Sequence, residues 1–480
     1  MYHISDLKKF TKCNRLYFLE KDNNLTFKPF LRSDESYIDL LKDKLRIANC
    51  FTGKTGDNNK EFFDNVNKFD WFVNTRFEND GLRIKIPILH KINDIEFDVY
   101  FIYFATQIKE LDLFSYRICV EILDKLNVIV KNINVAYVNP YYVYHNKLES
   151  DNLFIITDRY NGKSIIDIVL DGVVDYKKII NEIEFNSLDS TTPKKVRMCH
   201  LYNNCSYYND CFKDENDLPC DSMLTLVSSQ YKNEMYNDGL AKLKDVDLDK
   251  LEGNRVQYAQ ILACNNNGLF CDKLSLSMWL KDVVKKPISF IDFEWDRYLI
   301  PNYENMKPLD VIPFEFALYI DDGEGELKHK VFISSGDCRE EFIKELIASL
   351  PKEGTIFAYN ANGAEVLRIK ELIVEFPKYK DVLEKIIERF VDLAIPFTEG
   401  LIYDTRMAGN YSLKKLVSIV SDKSYQDLDI DEGMQAVYSW RDIDNGNDTN
   451  EEKTIDDLKK YCSLDAYGLY LVYKWLLSLV

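Results

Sequence analysis

The sequence predicts an α/β protein, because strand patterns and helix patterns alternate along its 480 residues. In the carboxy-terminal half, apolar runs such as PISFIDFEW and VIPFEFALYID are followed by amphipathic segments such as CREEFIKELIASL and AEVLRIKELIVEF. Strands that alternate with helices favour sheets covered by helical layers. A hydrophobic content of 46% is sufficient for packed cores and argues against a disordered chain.

Three zones are predicted along the chain. Residues 1–222 combine the strand patterns LRIKIPILH and IEFDVYFIYFAT with the helical pattern LFSYRICVEILDKL, and they end in a cysteine-rich stretch. Residues 223–285 have helical spacing and acidic turns, which indicates a helical connector or, as the alternative, part of a neighbouring domain. Residues 286–480 carry the alternating strands and helices described above.

The net charge of −18 counts against a protein that holds nucleic acid by charge alone, since phosphates are neutralised by basic surfaces. It does not exclude a metal-dependent enzyme, because bound divalent cations reverse the local sign of a carboxylate cluster. The opening MYHISDLKKFTKCNRLYFLE lacks a signal-peptide pattern, and no window reaches the roughly 18 apolar residues of a membrane span. We therefore expect a cytoplasmic protein without a membrane partner, in which the 11 cysteines are thiols or metal ligands.

Two carboxylates end the strand pattern FIDFE. Asp292 and Glu294 are two positions apart, so a strand places both on the same face. Adjacent carboxylates repel each other unless they are protonated or bridged by cations. The pair is therefore a candidate metal ligand set, with a solvent-facing acidic pair as the alternative.

A third acid follows the strand pattern TIFAYN. Glu365 begins a helical pattern directly after a turn, where a carboxylate can also serve only to complement the helix dipole. Asn360, at the end of the strand pattern, is a candidate either for contacting a substrate or for supporting this turn.

The last long helical pattern contains a tyrosine and an aspartate one turn apart. Tyr461 and Asp465 share a helix face at this spacing. The phenol is placed to orient a water molecule beside the carboxylate. The alternative is a surface aspartate next to a half-buried tyrosine.

Taken in order, these motifs resemble the DEDD exonucleases of the ribonuclease H-like superfamily, in the DEDDy form that has a tyrosine. The segments SFIDFEW, IPFEF, AYNANGAEVLRIKELIVEFPKY, RFVDL, GNYSLKKL and YCSLDAYGL are similar to the bacterial domain of unknown function 2779 family. This resemblance implies a ribonuclease H-like mixed-sheet domain at the carboxy terminus. It also implies a 3′–5′ exonuclease that hydrolyses nucleic acid, with DNA expected, by two-metal chemistry.

The same resemblance assigns roles to individual residues. Two Mg²⁺ or Mn²⁺ ions would be held by four carboxylates, and a tyrosine would orient the attacking water. In this sequence the ligands are Asp292, Glu294, Glu365 and Asp465, and the tyrosine is Tyr461. Asp392 in RFVDL would be a supporting acid. The turn before Glu365 is one residue longer than in the family pattern.

A second constellation consists of cysteines. Cys199, Cys205 and Cys211 are six residues apart each time, and Cys13 lies far upstream in KFTKCNRLYFLE. Soft thiolates suit iron–sulfur clusters or zinc, but the spacing is not the C-x-x-C of a zinc ribbon. Zinc and unliganded thiols remain as alternatives.

This cysteine arrangement is similar to that of the iron–sulfur nuclease domains of the PD-(D/E)XK superfamily. The resemblance implies a smaller restriction-endonuclease-like α/β domain with a [4Fe–4S] cluster on Cys13, Cys199, Cys205 and Cys211. Its catalytic Asp and Glu-x-Lys are missing, because LRIKIPILH and YFIYFATQIKE stand in their places. Asp98 and Lys109 have the wrong spacing. We therefore expect a catalytically degenerate domain that holds nucleic acid.

Three functions compete on this basis. The leading hypothesis is a metal-dependent exonuclease fused to the degenerate domain. The alternative is a catalytically inactive nucleic-acid-binding iron–sulfur protein of repair or phage defence, which the four intact acids disfavour. An endonuclease of the amino-terminal half is disfavoured by the missing Glu-x-Lys.

Overall fold

The computed structural model describes residues 1–21, 37–194, 199, 205, 207, 211, 219–246, 251 and 254–480. The chain forms two compact units, Met1–Lys194 with Arg297–Asp310, and Lys195–Asp296 with Val311–Val480. Both contain sheets covered by helices, so the predicted α/β class is confirmed. The zone boundaries at residues 222 and 286 stay a prediction.

A mixed seven-stranded sheet lies in the first unit. Its strands are β1 Tyr2–His3, β2 Phe51–Thr52, β3 Trp71–Asn79, β4 Leu82–Lys91, β5 Glu96–Tyr103, β6 Ile129–Val138 and β7 Phe154–Thr157. The order is β2-β3-β4-β5-β6-β7, with β1 parallel to β4. The pairs β3–β4 and β4–β5 are antiparallel, whereas β5–β6 is parallel. The strands predicted from LRIKIPILH and IEFDVYFIYFAT are confirmed as β4 and β5.

Helices cover both faces of this sheet. They are α1 Ile4–Lys12, α2 Asn14–Lys21, α3 Tyr37–Lys44, α4 Asn59–Phe63, α5 Leu113–Lys125, α6 Ser150–Leu153, α7 Ile165–Leu170 and α8 Tyr176–Phe185. Phe97 and Val99 belong to the core that contains α5, whereas Val73 and Ile88 pack with Tyr37 of α3 on the other face. A short hairpin, β8 Arg159–Tyr160 and β9 Lys163–Ser164, completes the unit.

The second unit contains a five-stranded sheet and a two-stranded sheet. The strands are β10 Leu269–Cys271, β11 Ile288–Arg297, β12 Val311–Asp321, β13 Lys328–Ile333, β14 Ile356–Ala358, β15 Phe390–Asp392 and β16 Ile402–Asp404. The larger sheet has the order β13-β12-β11-β14-β15, and β10 pairs antiparallel with β16. Because β11, β14 and β15 are parallel, their carboxyl ends meet at one edge, which is where ligands bind in such sheets.

The helices of the second unit surround these sheets. They are α9 Lys232–Asn237, α10 Arg255–Asn265, α11 Lys273–Val283, α12 Arg339–Ser349, α13 Glu365–Glu375, α14 Lys380–Ile387, α15 Ile395–Thr398, α16 Leu413–Val420, α17 Gly433–Asp444 and α18 Glu451–Ser478. None of the helices in the described part of the chain is both long enough and apolar enough to cross a bilayer.

Alternation along β11 decides which way its acids face. Phe293 packs against Phe342 of α12, with ring centroids 5.0 Å apart. Phe290 packs against Tyr473 of α18 on the opposite face, at 5.6 Å. Since side chains alternate along a strand, the two acids of FIDFE lie on the face of Phe290, towards α18.

The predicted connector, residues 223–285, contains helices α9, α10 and α11. It also contains β10, a strand that the sequence analysis did not predict. The backbone of Leu269–Cys271 pairs with Ile402–Asp404, far along the same unit. This segment therefore contributes to a sheet as well as linking elements.

Candidate metal centre

Asp292, Glu294 and Asp465 form a compact group of carboxylates. Each contributes one oxygen to a set whose members all lie within 4.8 Å of one another. The first two stand on one face of β11, and Asp465 lies in the middle of α18, which covers that face. Within the described residues this is the one group of three or more potential metal ligands this close together. The structure therefore brings together the D-x-E pair and the helical aspartate.

Burial strongly disfavours the ionised forms of these acids. Glu294 and Asp465 are 9% and 6% exposed. Burial, followed by the negative charge of Asp465, raises the pKa of Asp292 and of Glu294 well above the ordinary range. Three carboxylates this close cannot all ionise without a compensating positive charge. The arrangement suits divalent cations, which supply that charge.

Glu365 lies beside this group without belonging to it. It begins α13 and is 2% exposed. Burial raises the pKa of Glu365 to about 8, and its own charge in turn raises the pKa of Asp292 and Glu294. Its Oε2 atom is buried and has no hydrogen-bond partner among the described residues. An unpartnered acceptor next to a carboxylate cluster is a natural cation ligand.

The turn before Glu365 is held by Asp392, the predicted supporting acid. Asn360 adopts a left-handed conformation with φ of 57°. Its amide donates to Oδ1 of Asp392 over 2.8 Å, and the amide of Ala394 donates to the same oxygen over 2.9 Å. Asp392 thus ties the segments that follow β14 and β15. The side chain of Asn360 is exposed, and its role towards a substrate stays a prediction.

Two tyrosines contact Asp465, and the sequence analysis identified only one. Tyr461 is 3% exposed and lies one helical turn before Asp465, as predicted. Tyr425 donates from its hydroxyl to Oδ1 of Asp465 over 2.6 Å. Hydrogen bonds from both hydroxyls oppose the rise that burial causes in the pKa of Asp465. Tyr425 was missed because it lies in an irregular segment where spacing carries no signal.

A lysine lies over both tyrosine rings. Nζ of Lys414 in α16 is 4.9 Å from the ring centroid of Tyr461 and 5.2 Å from that of Tyr425. Nζ also donates to the carbonyl of Asp431. The positive charge of Lys414 lowers the pKa of Asp465 and of Glu294 against the effect of burial. In the sequence this lysine was only part of GNYSLKKL.

A further acid and a thiol lie next to the carboxylate group. Glu315 on β12 is fully buried, and neither of its carboxylate oxygens has a hydrogen-bond partner among the described residues. Burial raises the pKa of Glu315 to about 8. Cys462 is also fully buried, and its thiol donates to Oδ2 of Asp292 over 3.5 Å. Sequence reasoning missed Glu315 because IPFEF has the composition of a core strand.

The predicted iron–sulfur ligands are half-buried thiols. Cys13 follows α1 in the first unit, whereas Cys199, Cys205 and Cys211 belong to the second. Most of their neighbours in the sequence, such as 200–204 and 212–218, lie outside the described residues. The cluster stays a prediction.

The expected position of the missing nuclease acids lies on β4 and β5. Lys85 on β4 is directly opposite Arg76 on β3. Asp98 accepts a 2.8 Å hydrogen bond from Asn132. In the described part of the first unit, no three His, Cys, Asp or Glu side chains come close enough to share one ion.

Comparisons with known proteins match part of the chain. Residues 289–412 match the family model of Domain of unknown function (DUF2779). This match supports the resemblance to that family over the segment that holds Asp292, Glu294 and Glu365. No curated protein matches the chain.

A solved structure also matches, the family B DNA polymerase from the hyperthermophilic archaeon Pyrobaculum calidifontis. The two chains are 14% identical, with a TM-score of 0.25 over 40% of this chain. The chain spans 24% of the length of that polymerase. A TM-score this low supports no conclusion about the fold or the activity of this chain.

Proposed function

We propose that the second unit is a metal-dependent 3′–5′ exonuclease with a ribonuclease H-like domain, and that DNA is its substrate. The observation that carries this proposal is the buried group of Asp292, Glu294 and Asp465, with Glu365 beside it. Gathering acids in this way is costly unless a cation neutralises them. If these acids only stabilised the fold, the unfavourable free energy of burying them together would have no explanation.

The donor set suits two Mg²⁺ or Mn²⁺ ions. All four candidate ligands are carboxylates, and hard divalent cations prefer oxygen ligands. Asp292, Glu294 and Asp465 would hold the ions, and the unpartnered Oε2 of Glu365 offers a further acceptor. When bound, such ions activate water and stabilise the oxygen that leaves in phosphodiester hydrolysis.

The tyrosines would act by orientation. Burial raises the pKa of Tyr461, so its hydroxyl keeps its proton and serves as a hydrogen-bond partner for the attacking water rather than as a base. Tyr425 fixes the orientation of Asp465 through its 2.6 Å hydrogen bond. The oxygen of the water forms a bond to the phosphorus of the last phosphodiester, and the bond from that phosphorus to the 3′ oxygen of the preceding nucleotide breaks. The attacking water gives up a proton to solvent, the 3′ oxygen takes one up, and the terminal nucleoside 5′-monophosphate leaves.

The first unit is proposed to hold nucleic acid without cleaving it. Arg76 and Lys85 are directly opposite in the β3–β4 ladder, where like charges destabilise a sheet. Burial, followed by the positive charge of Arg76, lowers the pKa of Lys85. A phosphate backbone would supply the missing negative charge.

The test compares Asp292→Asn and Asp465→Asn with the unchanged protein on DNA and RNA labelled at the 3′ end. We expect Mg²⁺- or Mn²⁺-dependent release of mononucleotides, reduced by about 100-fold or more in both variants. Asp381→Asn, which removes an exposed carboxylate from α14, is the matched control and should retain activity. The proposal fails if the unchanged protein releases no nucleotide with either metal. Binding without release would favour the inactive nucleic-acid-binding alternative.

A further inference from the structure

We propose that Lys414 is a phosphate-binding residue, whose ammonium group holds a non-bridging oxygen of the scissile phosphate. This inference rests on the proposed function and deepens it. Four carboxylates repel a phosphodiester, and metal ions bound there would divide their charge between the carboxylate oxygens and the phosphate oxygens. A fixed cation from the protein beside the metal centre would supply a direct contact to the substrate.

The position of Lys414 is built by three separate elements. Its side chain leaves the first turn of α16 and reaches the rings of Tyr425, in a 3₁₀ turn, and Tyr461, on α18. The ring centroids lie 5.2 and 4.9 Å from Nζ, within the range of cation–π attraction. The carbonyl of Asp431 accepts one of its hydrogen bonds. The ammonium is therefore held in place from several sides.

Those contacts connect Lys414 to the metal centre. Tyr425 hydrogen-bonds directly to Asp465, and Tyr461 lies one turn before it on the same helix. The charge of Lys414 acts on Asp465 and Glu294, two members of the carboxylate group. A phosphate that reached metals on this group would meet the ammonium at the same place.

Lys414 has donors left for such a phosphate. An ammonium group offers three hydrogen bonds, and Lys414 gives one of them to Asp431. Within the described residues it forms no ion pair with any carboxylate, in contrast to Lys453 and Lys460 on α18. Lys414 as a whole is half-buried rather than enclosed.

A role as a counter-charge alone would change nucleotide affinity and metal affinity differently from a phosphate contact. If Lys414 only neutralised the acids, its removal would leave nucleotide affinity unchanged. As a cation, however, Lys414 repels Mg²⁺ or Mn²⁺, so its removal should leave metal affinity unchanged or make it tighter. Weaker phosphate binding together with undiminished metal binding therefore separates a phosphate contact from a structural counter-charge.

The experiment uses the full chain and three variants. Lys414→Met removes the charge, Lys414→Arg keeps it, and Lys415→Met removes the neighbouring lysine of α16 as a matched control. Calorimetry measures the Kd of Mn²⁺ alone and then of thymidine 5′-monophosphate at saturating Mn²⁺. Hydrolysis of 3′-labelled DNA gives kcat and KM, and thermal melting reports folding.

We expect Lys414→Met to weaken monophosphate binding and to lower kcat/KM, each by about 10- to 100-fold, the loss of one charged hydrogen bond. Lys414→Arg should recover part of this loss, and Lys415→Met should match the unchanged protein. Monophosphate binding and kcat/KM that survive in Lys414→Met would overturn the inference, as would a parallel loss of Mn²⁺ binding.

Failure of the inference is distinguishable from failure of the proposed function. If the unchanged protein hydrolyses DNA and Lys414→Met does so equally well, only the role of Lys414 is wrong. If the unchanged protein binds Mn²⁺ and the monophosphate without hydrolysis, the exonuclease is wrong and the Kd values still decide the role of Lys414. If it binds no monophosphate, the inference is wrong.

Discussion

The hydroxyl of Tyr425 donates a 2.6 Å hydrogen bond to Oδ1 of Asp465, although the two residues are 40 positions apart. The bond joins a 3₁₀ turn to the longest helix of the second unit. Tyr425 is buried beside a carboxylate whose ionised form burial disfavours, and this contact restrains the candidate ligand that α18 contributes.

Tyr425→Phe should therefore disturb the metal centre itself. A hydrogen bond to a charged group contributes about 1.5–3 kcal/mol, so we expect Mn²⁺ affinity to fall by about 10-fold or more, and activity with it. Tyr461→Phe should lower kcat more than it lowers Mn²⁺ affinity, because that hydroxyl is proposed to act on water in addition to its hydrogen bond to Asp465. Tyr231→Phe, at a ring that is 48% exposed, serves as control. Equal Mn²⁺ affinity in all variants would contradict the prediction for Tyr425.

Glu315 should make the metal-free protein less stable as the pH rises. Burial raises its pKa from 4.5 to about 8, so the folded protein retains a proton that the unfolded chain releases. The stabilising effect of this proton is complete below the unfolded pKa and is lost as the pH rises through the folded pKa.

Glu315→Gln keeps a neutral side chain of similar shape at every pH. Between about pH 5 and about pH 9, the melting temperature of the variant should therefore decrease less than that of the unchanged protein. A residual decrease should remain, because burial also raises the pKa of Glu365. Parallel curves for the two proteins, measured without metal, would show that Glu315 is not protonated in the folded state.

Gly468→Ala should destabilise the second unit even though alanine favours helices. Gly468 lies within α18, where a Cβ atom would be 2.6 Å from Cγ2 of Val417 and 3.6 Å from the hydroxyl of Tyr425. Alanine is ordinarily better than glycine in a helix by about 1 kcal/mol, but overpacking a core costs about 1–3 kcal/mol. The branched Val417 has no flexible end that could move away.

Urea unfolding measures this effect directly. We expect a lower free energy of unfolding for Gly468→Ala, accompanied by reduced activity because Val417 must shift, and with it α16, the helix that carries Lys414. Gly325→Ala is the control, since a Cβ atom there meets open space. A variant as stable and as active as the control would refute the close contact between α16 and α18.

The cysteine prediction can be tested through metal content. Protein purified without oxygen should contain iron and acid-labile sulfide, and it should be brown. Serine at Cys13, Cys199, Cys205 or Cys211 should reduce the iron content, whereas Cys50→Ser should not. Zinc in place of iron would support the first alternative, and the absence of both metals from anaerobic protein would support unliganded thiols.

Local patterns in the sequence were sufficient to predict the elements that carry the carboxylates. Period 2 placed Asp292 and Glu294 on one face of β11, and the helical pattern around Asp465 is confirmed as α18. These predictions succeeded because they depend only on neighbours along the chain. The strand predicted from TIFAYN ends earlier, at Ala358, because Asn360 takes a left-handed conformation and hydrogen-bonds to Asp392.

Contacts between distant segments were not predictable in this way. Lys414 and Tyr425 acquire their positions only when α16 and α18 pack together, and a single sequence contains no measure of that packing. Glu315 looks like an isolated acid in an apolar strand until the sheet places β12 beside β11. Strand β10 has three residues, and its pairing with β16 is set by tertiary structure.

The pairing of β10 with β16 determines how the chain can be divided. Hydrogen bonds from Asp272 to Leu401 and from Thr405 to Gly268, both 2.8 Å, extend this ladder at its two ends. A protein shortened to residues 286–480 would lose β10 and leave the backbone of β16 unpaired. An open strand edge recruits other chains, so such a fragment should aggregate more readily than one that begins before α10 and keeps the β10–β16 pair.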